Sequence, residues 1–181
     1  DGKSKILADI APYFLRRRKA EVVPDLPPII YQDMALELND SQRAVYDAEW
    51  EAGSMGLRRA PHPVPAPALF ALITKLKQIC NRDVATGDSC KLDALQVLLE
   101  SASAAGSKVL VFSQYVETLK WLSEAIDCVP TAIYSGEQSA GGRDDVLTAF
   151  QEADGSRALL MSLRAGGVGL NIPTADLVVL F

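Results

Sequence analysis

The chain has 181 residues, of which 49% are hydrophobic, and a formal net charge of −5. That apolar fraction suits a packed core and excludes a disordered chain, and no apolar run approaches the roughly 18 residues a membrane-spanning helix needs. Cys80, Cys90 and Cys128 show no Cys-x-x-Cys spacing and His62 is the only histidine, which argues against a disulfide scaffold, structural zinc and histidine-based catalysis and favours a reducing compartment.

The first residues, Asp1-Gly-Lys-Ser-Lys5, include no starting Met and no following apolar block. They read as part of a longer protein without a signal peptide. Residues 4–18 have Ile6, Ile10, Tyr13 and Phe14 near helical spacing and read as an amphipathic helix. Residues 1–20 are basic, with Lys3, Lys5, Arg16, Arg17, Arg18 and Lys19 against Asp1 and Asp9, whereas residues 33–51 hold six acids against Arg43. A basic arm of this kind meets a phosphate backbone locally even when the whole chain is acidic. Prolines between 24 and 28 force extended backbone. Residues 30–38 alternate in the manner of a strand, and Asn39-Asp40-Ser41 forms a helix N-cap cluster. The helix that follows carries Val45, Tyr46 and Trp50. Gly53 to Pro67 reads as a long loop containing His62.

Residues 68–80 read as an apolar helix with Leu69, Leu72, Ile73, Leu76 and Ile79 on one face. After a polar break, residues 91–105 form a helix with Leu92, Leu95, Leu98 and Leu99 inward. Residues 108–112 are a continuous apolar strand of the type buried on both faces. A helix over 116–126, a strand over 131–134, a helix ending near Gln151 with Val146, Leu147 and Phe150 inward, and strands over 157–163 and 177–181 complete the pattern. Trp50 and Trp121 read as packing residues. Alternating helices and short buried strands imply a parallel α/β sheet with right-handed crossovers.

Ligands of such sheets sit outside the carboxyl ends of the strands. Polar clusters fall at three of these ends: Ser113-Gln114-Tyr115, Ser135-Gly136 and the run Ser162-Leu-Arg-Ala-Gly-Gly-Val-Gly-Leu-Asn171. Hydroxyls, small residues and exposed main-chain N–H groups there suit phosphate contacts that ignore base sequence. The glycines of the last run cost chain entropy and add no packing, so they suit a place where main chain approaches a phosphate or nucleotide. A dinucleotide loop does not fit. The third glycine is missing, Pro173 comes early, and there is no room for a crossover helix before the next strand. No Walker phosphate loop is present, since Gly106-Ser107-Lys108 lacks the rest of that motif.

These residues in this order resemble the second motor lobe of Swi/Snf-family, superfamily-two, ATP-dependent DNA translocases. The resemblance rests on Leu15-Arg-Arg-Arg-Lys19 with Glu21-Val22 and Asp25-Leu26-Pro27, then Leu76-Lys-Gln-Ile-Cys-Asn81. It continues through Lys108-Val-Leu-Val-Phe-Ser-Gln-Tyr115, similar to helicase motif IV, and Tyr134-Ser-Gly136 with Arg143 and Phe150. It ends on Ser162-x-Arg-Ala-Gly-Gly-x-Gly-Leu-Asn171, similar to motif V. The chain departs from the family at Arg82-Asp83, where His-Pro is usual, which bears on the conformation of that loop.

The resemblance implies a RecA-like parallel sheet flanked by helices, the helicase C-terminal lobe, with an N-terminal helical and extended appendage. It divides the chain into a brace or linker over 1–38, a helical insertion with a Pro-rich loop over 39–88, and the RecA-like lobe over 89–181, stopping before motif VI. ATP with Mg2+ would be bound mainly by a first lobe of the same protein, and both lobes would grip the backbone of double-stranded DNA. Ser113, Gln114, Gly136, Ser162, Arg164 and Gly166 would contact DNA, and Gly167 and Gly169 would lie close to the nucleotide. Asn171 and Arg143 would hold the motif loops, while Arg16, Arg17, Arg18 and Lys19 would brace the lobes. The resemblance assigns no metal ligand and no catalytic residue to this chain. Without Walker elements and the motif VI arginines, the chain alone is expected not to hydrolyse ATP. An intracellular location is expected, cytoplasmic or nucleoid in a prokaryote and nuclear in a eukaryote. The alternatives are another superfamily-two helicase lobe acting on RNA or DNA, and a non-enzymatic nucleotide- or nucleic-acid-binding α/β module.

Overall fold

A computed structural model of the chain describes residues 6, 10–13, 29–60, 63–166 and 169–181. The chain divides into two compact units, Asp1–Ala35 and Leu36–Phe181. In the first, Ala11–Tyr13 form a 3-10 turn. The rest of the expected helix over 4–18 lies almost entirely outside the described residues, as do Arg16, Arg17, Arg18 and Lys19. The strand expected over 30–38 is not formed: these residues carry no regular secondary structure, and Ile30 and Tyr31 are 89% and 85% exposed. Alternating side chains make a strand only where a neighbouring strand takes up the main-chain hydrogen bonds, and the sheet of this protein is built wholly from later residues.

The second unit begins with two packed helices, α1 (Asp40–Arg59) and α2 (Ala66–Asn81). Asn39 caps α1 as its residue type predicts, its Oδ1 accepting from the Gln42 amide at 2.9 Å. The helix continues through Gly53 and Gly56, which corrects the loop expected from Gly53 onward. A Cβ on Gly53 would overlap the Leu72 side chain of α2. The glycine therefore lets two helices approach, which outweighs its roughly 1 kcal/mol helix penalty. From α2, Leu72, Leu76 and Ile79 are buried, while Leu69 and Ile73, expected inward, are 44% and 43% exposed at the edge of that face.

The turn after α2 accommodates the Arg82-Asp83 pair. Buried Asp83 accepts from the Ala85 amide at 2.9 Å and from Thr86 Oγ1 at 3.1 Å, the local side-chain-to-backbone bonding that favours Asp in turns. The Arg82 guanidinium lies 5.0 Å from the centre of the Trp121 ring. Trp121 is half-buried against the main core, but Trp50 is exposed and does not serve the packing role expected of it.

The remaining elements are α3 (Cys90–Ala104), β1 (Val109–Ser113), α4 (Val116–Ala125), β2 (Thr131–Tyr134), α5 (Ala140–Glu152), β3 (Ala158–Ser162), the single turn α6 (Leu163–Gly166) and β4 (Leu177–Leu180). The four strands are all parallel, in the order β2-β3-β1-β4. Central β3 is buried along its whole length, as a strand apolar up to its final Ser162 and lying between two helical layers should be. One face packs Leu95 and Leu99 of α3 and Leu119 and Leu122 of α4 against Val109, Val111 and Leu160. The other packs Phe150 of α5 against Leu110, Leu159 and Met161. Complete burial of one such side chain contributes roughly 1.5–3 kcal/mol. Among the described residues, no helix is long and apolar enough to cross a membrane.

Candidate nucleotide and nucleic-acid interface

Because all four strands run the same way, their carboxyl ends share one edge. Ser113 ends β1 and Ser162 ends β3, and the two are register partners. Tyr134 pairs with Met161, which brings Ser135 to the same edge. All three serines are buried. Each hydroxyl oxygen accepts from a main-chain amide close by: Ser113 from Tyr115 at 3.4 Å, Ser135 from Glu137 at 3.4 Å, and Ser162 from Ala165 at 3.3 Å. The hydroxyls thus shape the three turns and keep a proton with which to donate.

The loop after β2 is fixed by a residue that sequence reading missed. Gln138 Oε1 accepts from the Ser135 amide at 3.0 Å, and its Nε2 donates to the Ile133 carbonyl at 2.9 Å. Arg143 donates to the Gln138 carbonyl at 3.0 Å, holding this loop to α5. A Cβ built on Gly136 has no atom within 4 Å, so its main chain faces open space. Beside it, Lys120 Nζ reaches Glu117 Oε1 at 2.9 Å and Glu137 Oε2 at 3.1 Å. The hydrogen bonds to Glu117 and Glu137 push the Lys120 ammonium above the usual lysine range.

The run after β3 is a short helical turn rather than more strand, with Leu163 and Arg164 exposed. Arg164 is exposed and makes no hydrogen bond or ion pair among the described residues. Gly166 has an internal reason to be glycine: a Cβ there would lie 2.7 Å from Phe112 Cε1 and 3.1 Å from Met161 Cε. Gly169 has φ +77°, a conformation that favours glycine. Gly167 lies outside the described residues. The loop is anchored through the main-chain carbonyl of Asn171, which accepts from Gln151 Nε2 at 3.0 Å, and through Leu170 and Ile172 packed on the core.

Gln114 is exposed, and its Oε1 accepts from Lys77 Nζ of α2 at 3.2 Å. The structure thus brings Ser113, Gln114, Ser162, Arg164 and Gly166 to one edge of the sheet with Gly136 and its loop. Lys77 was missed because its partner lies far away in the chain.

A parallel sheet covered on both faces, with polar turns gathered at its carboxyl edge, is the fold of a RecA-like helicase lobe. Residues 90–181 match the family described as the helicase conserved C-terminal domain, and the chain belongs to that family. It is similar to the SWI2/SNF2 ATPase core domain of Sulfolobus solfataricus, with a TM-score of 0.76 and 28% identity over 97% of this chain and 39% of that one. The same core in complex with double-stranded DNA gives a TM-score of 0.74 and 26% identity over 98% of this chain and 40% of that one. An uncharacterized ATP-dependent helicase of Mycoplasma pneumoniae is 28% identical over 94% of this chain. This chain spans 17% of that protein's length. Together these likenesses are consistent with a C-terminal lobe of the superfamily-two, Swi/Snf type.

Proposed function

We propose that this chain is the C-terminal motor lobe of a DNA-dependent ATPase that moves along double-stranded DNA and remodels protein–DNA complexes. The observation that carries this reading is the Ser113–Ser162 pairing, which gathers the turns after β1, β2 and β3 on one edge. Main-chain N–H groups, a glycine open to solvent and the exposed Arg164 suit a polyanion gripped without base readout. The DNA complex of the Sulfolobus core supports a duplex as the partner.

ATP, the substrate, with Mg2+ is held mainly by a first lobe of the same protein. Residues 165–172 contain main-chain amides and no carboxylate, and among the described residues no three His, Cys, Asp or Glu side chains gather to hold a metal ion. This donor set fits contact with nucleotide phosphate. The lobe alone does not turn over ATP, because phosphoryl transfer needs charge-stabilising groups from both sides of the cleft.

In the full-length protein, Arg164→Ala weakens duplex binding about equally for unrelated sequences and lowers the slope of log affinity against log salt by about 1. Fluorescence polarisation across a salt series reads both quantities. A loss confined to one sequence, or no loss, overturns the reading. DNA-stimulated ATP hydrolysis by the 181-residue chain overturns its division of labour.

A further inference from the structure

Beside the carboxyl end of β1, residues of α2, α3 and the turn after β1 line an open cavity of about 190 Å3. Its walls include Lys77, Lys91, Asn81, Gln114, Tyr115 and the ring of Phe181, and among the described residues no carboxylate side chain lines it. Lys91 Nζ donates to Asn81 Oδ1 at 2.9 Å and lies 5.3 Å from the centre of the Phe181 ring. The Lys77 ammonium is spent on one neutral acceptor, Gln114 Oε1. Among the described residues, neither Gln114 Nε2 nor the Tyr115 hydroxyl has a hydrogen-bond partner.

Two ammonium groups on residues lining one cavity, one of them half-buried and each bonded to a neutral amide, are incompletely compensated. Taking a cation from water costs several kcal/mol unless an anion accompanies it. Burial, with a smaller contribution from repulsion by Lys77, holds Lys91 below the usual lysine range. An anion between the two lysines would relieve both effects. The remaining donors, an amide NH2 and a phenol, are those that complete the coordination of phosphate oxygens.

We propose that this cavity is a binding site for a phosphate group, held by the ammonium groups of Lys77 and Lys91 and completed by Gln114 and Tyr115. The phosphate belongs either to a small molecule or to a nucleic-acid backbone running along the same edge. The site shares Gln114 with the proposed DNA edge but rests on its own walls.

The test is a titration of the 181-residue chain with inorganic phosphate, followed by NMR of the lysine ammonium and main-chain amide signals. Chloride at equal ionic strength is the control. Saturable shifts at Lys77, Lys91 and Gln114 are expected with phosphate alone, and K91Q and K77Q each weaken binding roughly tenfold, as for loss of a charged hydrogen bond. Lys77 is exposed, so K77Q keeps the test valid if K91Q disturbs the fold. No saturable shift beyond the chloride control, or equal affinity in both variants and the parent, overturns the proposal. A short duplex that competes with phosphate, with competition lost in K77Q, identifies a backbone phosphate. Phosphate binding without competition identifies a small phosphate ligand. Failure of the DNA reading leaves the phosphate arm intact, so the two failures are distinguishable.

Discussion

The side-chain amide of Gln42 lies 2.8 Å from the main-chain carbonyl of Ile79 and donates to it. Gln42 is fully buried, and its Oε1 also accepts from the Cys90 amide at 3.0 Å. One side chain thus ties the first turn of α1 to the end of α2 and the start of α3. It satisfies main-chain groups that helix ends otherwise leave without partners. Ser89 adds a parallel tie, its Oγ donating to the Asn81 carbonyl at 2.6 Å.

Gln42→Leu keeps the approximate volume and removes these bonds, stranding a buried carbonyl and a helix N-terminal amide. The expected loss is about 2–4 kcal/mol, in line with breaking a buried hydrogen-bond network. Urea unfolding followed by circular dichroism measures it. A midpoint within error of the parent would mean that water or local rearrangement replaces the amide.

Two glycines at the proposed DNA edge give opposite expectations. Gly166→Ala drives a Cβ to 2.7 Å from Phe112 Cε1, so the ring must move, at a cost of roughly 1–3 kcal/mol for overpacking. Gly136→Ala meets no atom within 4 Å, and its stability stays within about 0.5 kcal/mol of the parent. If phosphate approaches the Gly136 main chain, this second variant nonetheless loses affinity for duplex DNA in the full-length protein. Thermal melts paired with DNA titrations separate the effects. Unchanged DNA affinity in a well-folded Gly136→Ala protein would remove this loop from the contact surface.

Much of the sheet was legible because its signals are local. The apolar runs of β1 and β3, the Asn39 cap and the leucine spacing of α3 each reflect neighbours within a few residues. What escaped depends on residues distant in the chain. Gly53 resembles a loop residue until Leu72 supplies a reason for a glycine within a helix. Residues 30–38 have strand alternation but no pairing partner. Lys77 resembles an ordinary surface residue, yet its role is set by Gln114, far along the chain. The three polar turns could be found in the sequence because a parallel sheet brings strand ends together; the bonds within them could not.

Alkaline pH tests the environment around Lys91 and Cys80. Burial lowers Lys91 from its usual 10.5 and raises the Cys80 thiol from its usual 9.0. Between the folded Lys91 value and 10.5 the unfolded chain binds more protons at this residue, so its contribution makes stability rise with pH. Above 9.0 the folded chain retains the Cys80 proton longer, so that contribution makes stability fall with pH. In the parent the two slopes oppose each other. Lys91→Met removes the rising one, and its stability falls more steeply with pH than the parent's between roughly pH 9 and 10.5. Cys80→Ala removes the falling one and shifts the slope the other way. The slope is the diagnostic, because loss of the Lys91–Asn81 bond at 2.9 Å adds an offset that does not vary with pH. Urea midpoints across this range read the slopes directly, and parallel curves for the parent and Lys91→Met would show that this ammonium is as well solvated in the folded chain as in the unfolded one.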